Sequence, residues 1–327
     1  MVGNSAKVLF RGMLFGSAIF AAFSMQAWPQ EFPNRTIRIV VPLPPGGSND
    51  LVARVFSEKL PAAFGQAVII ENRAGGSGNP ATEFVARSSP DGHTLLLANT
   101  AHVVNAGFFA NLPYHPIRDF SAITHAYNVY FALVVNANLP VGNGREFIEY
   151  ARARPGVLAY ASSGIGAPHH LAMELLQSMT GVNLLHVPYK GAGQFVPAML
   201  SGEVQSVIGA INSLLPHIKS GKLRALAMAG ERTTPLLAGI PTLGETLPGF
   251  NLDNWTGLLA PAGTPSATIQ RLNAEIVRVL RLPETSERLS PQGIEIVASS
   301  SQAFQETLRT NLAKWTKVIK DANIKID

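Results

Sequence analysis

The sequence predicts an α/β protein of two lobes with a ligand cleft between them, and three observations carry that prediction. Strand and helix patterns alternate along the chain, the mark of an α/β fold. The β-branched strand Ile37–Val41 runs through a Pro-Gly-Gly turn into Ser48, Asn49 and Asp50, residue types that cap a following helix. The same order of strand, hydroxyl-rich loop, helix, strand, glycine loop and helix recurs about 120 residues further on.

In the first unit, the helix pattern covers residues 51–60 and Gly65 ends it. A strand over 67–70 follows, then the loop Arg73-Ala-Gly-Gly-Ser-Gly-Asn79 and a helix near 81–87. Pro90-Asp-Gly92 is a turn and 94–98 a buried strand. In the second unit a strand over 158–161 reaches Ser162-Ser-Gly-Ile-Gly-Ala-Pro168. A helix over 170–179 carries Leu171, Leu175 and Met179 on one stripe and stops at Gly181. The strand 184–187, the loop Tyr189-Lys-Gly-Ala-Gly193 and a helix over 194–200 complete it. The apolar stretches 130–135 and 255–260 join the halves and read as hinge crossings, with helices over 268–280 and 302–322 returning to the first lobe.

A strand that turns sharply into a helix points free N–H groups and the positive end of a helix dipole at one spot. Such a spot suits an anion, a carboxylate in particular. Two such junctions, in strand ends facing each other across a cleft, raise these loops above ordinary tight turns. Neither loop contains Lys or Arg. A carboxylate here is held by backbone N–H groups and the hydroxyls of Ser48, Ser162 and Ser163, which suits reversible binding better than catalysis.

Composition narrows the class. The 327 residues are 46% hydrophobic and 14% charged, enough for packed cores and unlike a disordered chain. Of the net charge of +5, Lys7 and Arg11 supply two, leaving a small, evenly spread surplus that excludes a nucleic-acid binder. Those two residues precede the apolar run at 13–23 and then small residues, the layout of an export signal over 1–27. Cleavage after Ser24 and after Ala27 both remain open. The chain has no cysteine, which excludes cysteine nucleophiles, cysteine metal sites and a thiol-linked lipid anchor. The expectation is a soluble periplasmic protein.

Enzyme signatures are weak. Gly76-Ser-Gly78-Asn-Pro-Ala81 fits a dinucleotide fingerprint formally, but Pro80 sits inside it and no acidic residue follows at the usual distance. No Walker loop or Gly-x-Ser-x-Gly elbow occurs. Ser163, His170 and Asp50 could form a triad, but any chain this long supplies such a trio. His169, His170 and Glu174 lack the His-Glu-x-x-His order of a zinc helix, so His170 is expected to shape its loop or touch a ligand, and His186 and His217 to be structural or surface residues. No cofactor, metal or catalytic residue is expected.

Arg35-Thr-Ile-Arg-Ile-Val-Val-Pro-Leu-Pro-Pro-Gly-Gly-Ser-Asn-Asp50 resembles the opening of Bug-type receptors, the periplasmic solute-binding components of tripartite tricarboxylate transporters. Further stretches resemble the same family: Val68-Ile-Ile-Glu-Asn-Arg-Ala-Gly-Gly76, Pro90-Asp-Gly-His-Thr-Leu-Leu-Leu97, Tyr160-Ala-Ser-Ser-Gly164, His186-Val-Pro-Tyr-Lys-Gly191 and Trp255-Thr-Gly-Leu-Leu-Ala-Pro-Ala-Gly-Thr-Pro265.

The resemblance implies a type II periplasmic-binding-protein fold that closes by hinge motion on a small organic acid. Family ligands include di- and tricarboxylates, some amino acids and aromatic acids. Carried onto this chain, the first binding loop is Pro45, Gly46, Gly47, Ser48, Asn49 and Asp50. The second contributes Ser162, Ser163, Gly164, Ala167 and His170, and the loop after Leu97 adds Asn99 and Thr100. Val204-Gln-Ser-Val-Ile-Gly209 departs from a common acid-bearing pattern, and losing the acid at Gly209 disfavours an amino-acid ligand. Asn49 replaces a commoner Thr. The implied lobes are 28–130 with 252–327, and 131–251. The implied partners are integral-membrane permease subunits or a membrane sensor kinase, served by a monomer that binds no nucleic acid.

Overall fold

The computed structural model describes residues 32–321 apart from 110 and 253, so the export signal read over 1–27 lies outside the described residues. In chain order the first half comprises β1 (Ile37–Val41), α1 (Ser48–Lys59), α2 (Pro61–Phe64), β2 (Val68–Asn72), α3 (Asn79–Ala86), β3 (Thr94–Asn99), α4 (Ala101–Phe108) and β4 (Phe120–Val129). The middle comprises β5 (Phe131–Asn136), α5 (Gly144–Arg152), β6 (Ala159–Ser162), α6 (Pro168–Thr180), β7 (Leu185–Pro188), α7 (Ala192–Ser201), β8 (Ser206–Ala210), α8 (Ile211–Lys219) and β9 (Leu223–Met228). The last part comprises α9 (Leu243–Thr246), β10 (Trp255–Pro261), α10 (Ser266–Leu280), α11 (Pro283–Leu289), β11 (Ile294–Ile296) and α12 (Ser301–Asp321).

The strands form two sheets, β11-β4-β10-β3-β1-β2 and β7-β6-β8-β5-β9. In the first, β1 is parallel to β2 and β3, while β10 is antiparallel to both β3 and β4. In the second, β6 is parallel to β7 and β8, and β5 is antiparallel to β8 and β9. This is the α/β, two-sheet, two-lobed architecture that the repeated unit predicted.

Burial explains the strand patterns. Along β5, Phe131, Leu133 and Val135 join the large core, while Ala132 and Val134 join a smaller one on the opposite face. That alternation is the period of two of a strand covered on both sides. In the first sheet, helices α10 and α12 pack on β4, and α12 also packs on α4.

The reading of 130–135 and 255–260 as hinge crossings needs correction. Residues 255–260 lie within β10, which is buried along its whole length between β3 and β4. Phe131 onward is a central strand of the second sheet: the chain leaves the first sheet at Tyr130, between β4 and β5, and returns to it in the segment between β9 and β10. Apolar runs were right, but burial on both faces is their cause. Helix starts also shift: α1 begins at Ser48 and α6 at Pro168, so Asn49, Asp50 and His169 belong to first helical turns.

Candidate functional site

Loop 1 joins β1 to α1. Gly46 adopts φ of 94°, a region a side chain would strain, and its N–H donates to Asp50 Oδ2 at 3.1 Å. Arg54 Nε donates to the same oxygen at 2.9 Å. Burial pushes the Asp50 carboxyl up, but the bonds from Arg54 and the Gly46 N–H outweigh it and hold the group below its usual range. Asp50 is therefore ionised at neutral pH and ties the loop, and a carboxylate ligand gains nothing by touching it.

Gly47 precedes α1 in extended conformation, and no side chain caps the helix. The first intrahelical bond is Leu51 N–H to Gly47 O at 3.0 Å, which leaves the N–H groups of Ser48, Asn49 and Asp50 without a helical partner. Asn49 Oδ1 accepts from the Tyr127 hydroxyl at 3.1 Å, and its buried Nδ2 has no protein partner.

Loop 2 joins β6 to α6. Ser162 is fully buried, with Oγ 2.7 Å from His186 Nε2 and accepting the Gly164 N–H at 3.0 Å. His170 Nδ1 accepts the Gly166 N–H at 3.3 Å, and its ring stacks on His186 with centroids 4.4 Å apart. Tyr160 also stacks on His186, at 4.8 Å between centroids, and donates its hydroxyl to Glu174 at 2.5 Å. Burial lowers both histidines to about 4, so they are neutral at pH 7. Ser162 and His170 thus brace the loop from behind. Ala167 precedes α6 without a side-chain cap, and Pro168 at the first position has no N–H to offer, leaving those of His169 and His170.

Of the two loop 2 serines, Ser163 is the partly exposed one, and its Oγ lies 2.9 Å from His169 Nδ1. The trio Ser163, His170 and Asp50 is therefore not assembled, because Ser163 meets the neighbouring histidine and Asp50 meets Arg54. Burial alone lowers His169 to about 4. Among the described residues no cluster could hold a metal ion.

Two bonds join the lobes at these loops. Asn212 Nδ2, in the first turn of α8, donates to Ser48 Oγ at 3.1 Å. Ser77 Oγ, beside α3, donates to Ile165 O at 3.2 Å. Each loop is thus tied to the opposite lobe, loop 1 through Asn212 and loop 2 through Ser77, and with His169 these are three residues at the site beyond the expected set. The sequence gives Ser77 only as part of a glycine loop. Asn99 and Thr100 take other roles: Asn99 Oδ1 accepts the Ala101 N–H at 3.1 Å, and Thr100 is fully buried with Oγ1 accepting from Trp255 N–H at 3.1 Å.

Two uncapped helix starts on opposite lobes, with no Lys or Arg in loops 1 and 2, leave backbone N–H groups of the kind that suits an anion. The family profile described as "Tripartite tricarboxylate transporter family receptor" matches residues 52–324. The chain belongs to this family. BugT of Bordetella pertussis is 33% identical to the receptor over 298 residues, covering 90% of this chain and 91% of BugT. The structure of R. palustris Rpa4515 with adipate has a TM-score of 0.83 at 33% identity, covering 90% of the receptor and 99% of that chain. MatC of Rhodopseudomonas palustris with bound malate has a TM-score of 0.81 at 30% identity, covering 88% and 100%. Among the described residues no helix of the receptor is long and apolar enough to cross a membrane.

Proposed function

We propose that this receptor encloses a small organic carboxylate between loops 1 and 2 and hands it to integral-membrane permease subunits. The observation that carries the reading is the uncapped start of α1 on one lobe and loop 2 on the other, each tied to the opposite lobe by the Ser48–Asn212 and Ser77–Ile165 bonds. Each N–H bonded to a carboxylate contributes about 1.5–3 kcal/mol, and the helix dipole adds up to about 2 kcal/mol when partly buried. Several such donors reach micromolar affinity without a cationic side chain. Adipate on Rpa4515 and malate on MatC support a carboxylate as the ligand class.

In this reading the lobes comprise 28–130 with 252–327, and 131–251, and they move about Tyr130 and the returning segment after β9. Residues 1–27 direct export to the periplasm. Ligand contacts come from the backbone of Gly47, Ser48 and Asn49, and from Ser163, with Asp50, Ser162 and His170 fixing loop shape. A thermal-shift screen of organic acids tests the reading, since a ligand bound to the native state raises the melting temperature. If neutral sugars raise it and no carboxylate does, the clamp is not an anion site. Loss of uptake of the best acid in a deletion strain, restored by the gene, tests delivery.

A further inference from the structure

We propose that His169 is the residue through which the second lobe reads the far acidic group of its ligand, taking up a proton as a dicarboxylate is enclosed. This rests on the carboxylate reading above. The ring is wedged between Phe131, at 5.1 Å between centroids, and Phe195, at 5.5 Å. It lies over a strand glycine: a Cβ at Gly209 would stand 3.5 Å from His169 Cδ2, at ordinary contact distance. Ser163 fixes Nδ1, and among the described residues no hydrogen bond reaches Nε2. As a residue His169 keeps partial exposure, and it lies at the end of β8, where Asn212 two residues into α8 meets Ser48 of the facing lobe.

Among the described residues no ionised group sits on this ring. Phe131 comes from β5, Phe195 from α7, Gly209 from β8 and Ser163 from loop 2. On its own helix, His170 turns to His186 and Glu174 is engaged by Tyr160 and Gln177. Burial without a charged partner keeps the imidazole neutral, its pKa lowered to about 4. A carboxylate brought against Nε2 reverses that balance, because an opposite charge favours the protonated ring. One of two ligand charges is then neutralised in a cleft whose loops hold no Lys or Arg.

Linkage gives the sign. Affinity for a diacid is flat above the ligand-bound pKa of His169, rises as pH falls through it, and levels off below about 4, where the free ring is also protonated. The probes are succinate, malate and adipate, with the monomethyl ester of whichever binds best. Calorimetry near pH ~6 in buffers of different ionisation enthalpy reads proton uptake. Wild type is expected to take up a fraction of a proton with the diacid and none with the half-ester. His169→Gln and His169→Phe are each expected to abolish that uptake and to weaken the diacid about tenfold, with the half-ester within about threefold. The two variants differ in polarity, so the test survives if one misfolds. If no acid binds wild type, the carboxylate reading falls with this one. If a diacid binds without proton uptake, or with uptake intact in either variant, the role of His169 alone is overturned.

Discussion

Replacing Gly47 with valine separates ligand binding from folding. Gly47 has φ of −90° and ψ of 179°, which valine adopts readily, and a Cβ built there meets no atom within 4 Å. Fewer unfolded conformations favour the variant by about 0.4–1 kcal/mol, roughly offsetting a poorer cap, so the melting temperature should stay within about 2 °C. The isopropyl group nevertheless stands over the start of α1, where a ligand must reach the free N–H groups of Ser48 and Asn49. Losing two charge-assisted bonds costs about 3–6 kcal/mol, or roughly a 10²- to 10⁴-fold rise in Kd. Calorimetry with the best acid from the thermal-shift screen measures it. A folded Gly47→Val protein binding within about threefold of wild type would refute the anion clamp.

Other perturbations follow from the same geometry. Asp50→Asn removes an ionised tie from Gly46 and Arg54 and should lower both affinity and melting temperature at pH 7. Because the folded Asp50 pKa lies below its unfolded value near 3.8, its contribution is present above that pH and lost as pH falls through the folded value, so wild type and variant should converge in acid melts. His102, His169, His170 and His186 are lowered to about 4 against 6.5 unfolded. Unfolded chains therefore gain protons first, and the melting temperature should be flat above about pH 7 and fall steadily from there to about pH 4. His170→Gln should reduce that slope; an unchanged slope means His170 is not buried as described. Gly257→Ala should be severely destabilising, because its Cβ would lie 2.5 Å from Thr124 O and 2.4 Å from Phe304 Cζ. A loss under about 1 kcal/mol in chemical denaturation would mean β10 and β4 are not so closely packed.

The part of the site legible in the sequence is the part made of neighbours. Pro45-Gly46-Gly47-Ser48 announces loop 1 because turn and cap chemistry are local. Ser162 and Ser163 announce loop 2, but not which hydroxyl turns inward. His169 and His170 differ by one helical step, and that rotation decides which ring backs the loop and which flanks the cleft; no local signal encodes it. Asn212 and Ser77 meet their partners across 164 and 88 residues, beyond any periodicity. Fold class was readable for the opposite reason, since alternating strands and helices repeat along the chain. Residues 255–260 misled because a strand covered on both faces and an apolar linker look alike in composition.

The position of β10 also sets an order of events during synthesis. Leu96 and Asn99 of β3 pair with Leu259 and Thr256, so the six-stranded sheet stays divided until the last quarter of the polypeptide emerges. The five-stranded sheet draws every strand from residues 131–228 and can close on itself much sooner. Long-range pairing of this kind slows folding. A nascent receptor therefore carries a finished second lobe beside an open-edged first one, and that exposed edge, rather than the ligand cleft, is where a chaperone has most to hold.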